Sequence, residues 1–89
     1  MGETLRRAPG ALWLSTSGTV VALSPDGSEP AVIAGSGASL WAAFEQPTRV
    51  DQVLADLAAR FRVTPEAIRP DVEAAIEALL KLGLLEEVA

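Results

Sequence analysis

The sequence predicts an α+β fold: a winged helix-turn-helix in which a three-stranded antiparallel β-sheet is followed by a three-helix bundle, in the order βββααα. Three observations predict it. The first third of the chain is a series of short runs, the later ones β-branched, separated by Gly/Pro/Ser turns. From residue 36 onward the apolar residues recur at helical spacing instead. The chain has only 89 residues, enough for one modest core and no separate catalytic domain.

Residues 1–10 read as a flexible, polar N-terminal arm ending in Pro9-Gly10, with the domain proper over 11–89. Ala11 to Ser15 is a short strand containing Trp13 that stops at Thr16-Ser17-Gly18. Thr19 to Leu23 is the second strand and stops at Ser24-Pro25-Asp26-Gly27, where Pro presets φ and Gly accepts φ > 0. The third is Pro30 to Ala34. A proline cannot donate to a ladder, so Pro30 places this strand at a sheet edge.

Gly35-Ser36-Gly37 then breaks the chain, with Ser36 as N-cap of a short helix through Leu40, Trp41 and Phe44. Glu45-Gln46-Pro47 ends it. Thr48 and Asp51 resemble a capping box ahead of a second helix whose stripe is Val50, Val53, Leu54, Leu57, Ala58 and Phe61. Thr64-Pro65-Glu66 opens the third helix with a cap, a proline at the first position and a carboxylate at the positive end. Pro70 predicts a kink or break near Arg69, and Gly83 a left-handed cap after Leu82.

Composition excludes several classes of function. Cysteine and histidine are both absent, which removes disulfides, thiolate or imidazole metal ligands and the commonest general base. No catalytic residue, metal site or cofactor is expected. Gly35-Ser36-Gly37 has Leu40 where a dinucleotide fingerprint needs its third glycine, so it reads as a strand-to-helix turn. Glu86-Glu87 reads as a solvated tail. No apolar run approaches the ~20 residues of a membrane span, and Arg6-Arg7 is not followed by the apolar segment of a signal peptide. A cytoplasmic location without membrane association is expected.

A net charge of −5 repels phosphate backbones. The third helix carries Glu66, Asp71, Glu73 and Glu77 against Arg69 and Lys81, which argues against a nucleic-acid partner. On a helical wheel Ile68, Val72, Ile76 and Leu79 make its core arc, with Leu80 to one side and Ala74, Ala75, Ala78 and Leu82 on the other. That arc is wider than packing on one layer requires. Either the alanines are helix formers at indifferent positions, or their small side chains let another backbone approach along a shallow groove. An open strand edge beside such a groove would accept an extended peptide by β-augmentation, with Val32, Ile33, Ala75, Ala78 and Leu82 as candidate pocket residues. Asp71 either attracts a basic side chain of that peptide or only favours the helix start. Trp41 reads as a core anchor; Trp13, between Leu12 and Leu14 of opposite parity, reads as core or contact.

The residues Ile33-Ala34-Gly35-Ser36-Gly37-Ala38-Ser39-Leu40-Trp41, then Thr48 and Val50, then Asp71-Val72 and Leu79-Leu80-Lys81-Leu82-Gly83-Leu84-Leu85, form an ordered set that resembles the PqqD-like proteins, the RiPP recognition elements. The resemblance spans roughly residues 11 to 86. It departs from the family at Ala34, where a polar residue is common, and at Glu45-Gln46-Pro47, which replaces a frequent Asp-Gly. It implies a module that binds the leader segment of a ribosomally made precursor peptide, as a strand added to the third strand and lying against the third helix. The implied site is Pro30, Ala31, Val32, Ile33 and Ala34 with Asp71, Ala74, Ala75, Ala78 and Leu82.

The partners so implied are the precursor leader peptide and a peptide-modifying enzyme, whether maturase, cyclase, protease or radical enzyme, with the product a lasso peptide, a redox cofactor precursor or another class. The chain itself is expected to be a monomer or weak dimer. The alternatives are a winged-helix DNA-binding regulator, or a structural, dimerising subunit that uses the open edge on itself.

Overall fold

The computed structural model describes residues 3–27 and 30–88. Its elements are β1 (Thr4–Arg7), β2 (Leu12–Thr16), β3 (Thr19–Leu23), β4 (Pro30–Ala34), α1 (Ser36–Ala43), β5 (Thr48–Arg49), α2 (Val50–Phe61), α3 (Pro65–Lys81) and β6 (Leu85–Glu87). The expected α+β architecture is present: the antiparallel sheet β2-β3-β4 is followed by three helices. The strand that the sequence places third is β4, and it lies at the sheet edge as Pro30 requires.

A second antiparallel sheet, in the order β5-β1-β6, was not anticipated. It corrects the reading of residues 1–10 as a flexible arm for all but residues 1–2, which lie outside the described residues. Thr4 pairs with Arg49, and Leu5, Arg6 and Arg7 pair with Glu87, Glu86 and Leu85. Leu5 is only 1% exposed, sealed in the core with Leu84 and Leu85. Burial of Leu5 supplies the driving force; the half-exposed Arg6–Glu86 ion pair at 2.6 Å adds at most about 1 kcal/mol. Glu86 is therefore a strand residue with a cation partner rather than part of a solvated tail.

Helix boundaries show three further differences. Gly35, not Ser36, occupies the N-cap position of α1, at φ 61°. The Thr48/Asp51 capping box does not form, because Arg49 is the N-cap of α2 and Thr48, drawn into β5, donates its hydroxyl to the Gln46 carbonyl at 2.7 Å. α3 runs unbroken through Pro70. Pro70 stands early in the helix, where the N–H it lacks would have met the carbonyl of exposed Glu66, which water can reach.

The C-terminus of α3 closes as predicted. The amides of Gly83 (φ 74°) and Leu84 donate to the carbonyls of Leu80 and Leu79 at 3.1 and 3.0 Å, the two bonds of a Schellman motif. That reversal aims Leu84 and Leu85 back into a core built on Trp41, Phe44, Val50, Val53, Leu54, Leu57, Val72, Ile76 and Leu79.

Leu5→Ala is expected to destabilise the chain by about 2–4 kcal/mol, the range for a buried leucine truncated to alanine. Urea unfolding followed by circular dichroism checks this; a loss near zero would mean that the first strand is not part of the core.

Candidate functional site: the open edge of β4 and the exposed stripe of α3

The β2–β3 connection is a two-residue turn, Ser17-Gly18, with φ of 49° and 77°. Positive φ at both central positions marks the type I′ hairpin, in which the flanking residues, here Thr16 and Thr19, form a hydrogen-bonded pair. Backbone polar groups alternate sides along a strand, so Thr19 points to β2 and Val20 to β4. Val20 pairs with Ile33, which makes Ile33 and Ala31 the residues that bond to β3. The N–H and C=O groups of Val32 and Ala34, with the carbonyl of Pro30, then face the open edge. Pro30 loses nothing there, since its missing N–H would have pointed away from the ladder.

The same alternation sets the side chains. Ile33 is buried in the core across from Val20, and its Cγ2 lies only 3.0 Å from where a Cβ on Gly37 would stand. Its expected role as a pocket residue is corrected: Ile33 forms the floor of the core and offers the edge no side chain. Ala31 is half-buried beneath the sheet. Val32 is 72% exposed on the outer face, in one cross-strand row with Val21 and the 67%-exposed Leu14.

On α3, Asp71, Ala75, Ala78 and Leu82 follow one another at steps of four, three and four residues, so they share one stripe, flanked by Ala74. Asp71, Ala74, Ala78 and Leu82 are exposed and Ala75 is half-buried. The stripe lies next to the core arc of Val72, Ile76 and Leu79, as the helical wheel requires. Asp71 and Ala75 line a small cavity of about 90 Å³ walled by Leu40 of α1, by Leu57 and Phe61 of α2, and by Ile68 and Val72. None of Pro30–Ala34, nor Ala74, Ala78 or Leu82, belongs to its wall. The structure thus joins Asp71 and Ala75 through the helices rather than through β4.

The charge of α3 is settled within the helix. Arg69 pairs with Glu73 at 3.7 Å and Lys81 with Glu77 at 3.9 Å, each one turn apart. Both of its cations are thereby engaged while Glu66 and Asp71 add negative charge, the reverse of what a helix in a DNA groove requires. Among the described residues no group of side chains could hold a metal ion, and no helix is long and apolar enough to cross a membrane.

A second feature escaped sequence reasoning. Arg7, at the end of β1, reaches the C-terminus of α1 and donates from Nε and Nη2 to the Trp41 carbonyl at 3.2 and 2.8 Å. It supplies the cation that the last turn of α1 lacks. Its guanidinium lies 4.6 and 4.7 Å from the ring centres of Trp13 and Trp41, which meet edge to face at 6.1 Å. Trp41 is the core anchor expected, 1% exposed, whereas Trp13 is half-exposed and covers Arg7. Burial lowers the Arg7 pKa from its ordinary value, and nearby Glu45 acts in the opposite direction. The pairing of Arg7 with Trp41 spans 34 residues, so no local pattern announces it.

The site thus belongs to a small α+β domain with a sheet edge that no other described strand pairs with and an acidic, low-relief helix. The family model for Coenzyme PQQ synthesis protein D (PqqD) matches residues 19–85, and the chain belongs to the PqqD family. The description of that family places its members in coenzyme PQQ synthesis. No curated protein and no solved structure matches the chain.

The derived edge geometry predicts alternating amide hydrogen exchange in β4: slow at Ala31 and Ile33, fast at Val32 and Ala34. NMR-detected exchange on the free protein measures it. Equal protection of Val32 and Ile33 would show that the edge is already paired.

Proposed function

We propose that the chain binds the leader region of a ribosomally synthesised precursor peptide by β-strand addition and presents it to a peptide-modifying enzyme. The observation that carries this reading is the edge of β4, unpaired among the described residues, where the polar groups of Val32 and Ala34 point outward beside an exposed apolar row. An extended segment running antiparallel to β4 would exchange main-chain hydrogen bonds with Val32 and Ala34. Each such bond contributes only about 1 kcal/mol net, so selectivity has to come from side chains. Those of the incoming strand that fall on the outer face would extend the row Leu14–Val21–Val32. Those on the other face would turn toward the helices, where the stripe Asp71, Ala75, Ala78 and Leu82, with Ala74, offers low relief and one carboxylate for a basic side chain.

Membership of the PqqD family supports the peptide as ligand, and the engaged cations of α3 weigh against DNA. The chemistry belongs to the partner enzyme. The role of this chain is to raise the local concentration of the substrate and fix its direction.

The test uses a fluorescein-labelled leader taken from a short precursor reading frame adjacent to the coding sequence, titrated by fluorescence polarisation. Val32→Pro removes an outward donor and sets a ring in the path of the added strand, so affinity should fall at least about tenfold with helical circular dichroism unchanged. Ala78→Glu should weaken binding by adding bulk and charge to the α3 stripe. Wild-type affinity in both variants would place the peptide elsewhere. Sedimentation of the free protein that shifts from dimer to monomer on Val32→Pro would instead assign the edge to self-association.

A further inference from the structure

Beyond the edge of β4, on the opposite side of the same sheet, an open cleft of about 430 Å³ lies between the β2–β3 hairpin and α1. Arg7, Trp13, Trp41, Ser39, Glu45 and Arg60 are the polar and aromatic groups that matter in its wall. Trp13 of the far strand β2 and the buried Val20 of β3 both stand in its wall, so the cleft lies against the hairpin, and no residue of β4 lines it.

Three features mark it as a binding site. The first is charge: Arg7 and Arg60 face it with Glu45 as the one carboxylate, leaving a local excess of one cation on a chain whose net charge is −5. The second is an unused donor set. Among the described residues Arg60 makes no hydrogen bond or ion pair, so its guanidinium fork is free, whereas Arg69 and Lys81 are both engaged. The third is an orphan. Trp41 Nε1 is buried and has no hydrogen-bond partner among the described residues, although a buried indole N–H ordinarily finds one. Trp41 belongs to the cleft wall, so this unmet donor lies in the layer directly behind it and reports on what enters.

We infer that this cleft binds a peptide carboxylate, carried on an acidic side chain or a chain terminus, with Arg60 as the principal cation and the half-exposed Trp13 ring holding the adjoining apolar atoms. The ligand class follows from the donors. A guanidinium matches the two oxygens of a carboxylate in one plane, and a neutral amide would leave that charge unmet. Glu45 at the rim and the acidic chain as a whole disfavour a doubly charged phosphate. The volume falls within the range of small-ligand clefts and admits one or two residues. A second peptide contact on this side would let the chain hold an extended ligand at one edge and an acidic group at the other. The inference does not depend on strand addition at β4.

The experiment exploits the two tryptophans, whose indole N–H signals are resolved reporters in a ¹⁵N spectrum and are assigned by Trp13→Phe. The full chain is titrated to millimolar concentration with three probes: Ac-Leu-Glu-NH2, Ac-Leu-Leu with a free C-terminal carboxylate, and neutral Ac-Leu-Gln-NH2. The Trp41 signal should move saturably with at least one acid and not with the neutral probe, and whichever acid binds more tightly identifies the source of the carboxylate. Arg60→Gln should weaken that response about tenfold, with Arg60→Lys intermediate. Arg62→Gln, which removes an exposed cation outside the cleft wall, and Val32→Pro should leave it unchanged. An equal response to the neutral probe, silence with both acids, or equal losses in the Arg60→Gln and Arg62→Gln variants would overturn the assignment.

Discussion

The antiparallel register of β2, β3 and β4 is the constraint on which the rest depends. The tight turn at Ser17-Gly18 fixes which residues of the hairpin bond to each other, and alternation carries that choice across to β4. Side-chain direction and backbone direction alternate together. One register therefore decides both that Ile33 enters the core and that Val32 turns its peptide groups outward. A slip by one residue would bury Val32, expose Ile33 and put Pro30 where the ladder needs a donor. Burial of Ile33 in the core across from Val20 makes that slip costly, so the core that stabilises the domain also holds the edge open in one defined phase.

The two sheets do different work. The β5-β1-β6 sheet gathers the beginning, middle and end of the chain onto the core through Leu5 and Leu85, with the Arg6–Glu86 pair on its outer face. The β2-β3-β4 sheet covers the core with one face and leaves an apolar row on the other. A protein of this size has little core to spare, and an unpaired edge beside exposed valine and leucine is a liability unless something binds there. The peptide partner proposed for this member of the PqqD family would supply the reason for keeping it.

Electrostatics divides the surface in the same way. The cations of α3 are spent on i,i+4 pairs, which leaves the helix face acidic. Of the other cations, Arg7 and Arg60 stand together in the cleft beside Trp13 and Trp41, where Arg7 caps α1 and Arg60 has no side-chain partner among the described residues. Only one of these arginines is structural. Arg7 uses two donors on the Trp41 carbonyl, and its removal would uncap a helix; the Arg60 side chain bonds to none of the described residues.

Local chemistry made much of this protein legible in its residues. The 3.6-residue period over Val50–Phe61, Pro65 at the start and Gly83 at the end of α3, the turn at Pro25-Asp26-Gly27 and the edge position of Pro30 all follow from φ preferences and side-chain spacing within a few residues. The ordered motifs likewise carried the family. Tertiary structure alone decided the rest. Thr4–Arg7 carries a single apolar residue and becomes a strand only because Thr48–Arg49 and Leu85–Glu87 arrive on either side of it, tens of residues away. Thr48 left its capping role for that same sheet. The Trp41–Arg7 contact, the free fork of Arg60 and the outward phase of Val32 are likewise products of pairing between distant segments, and spacing along the chain holds no record of which distant segments will meet.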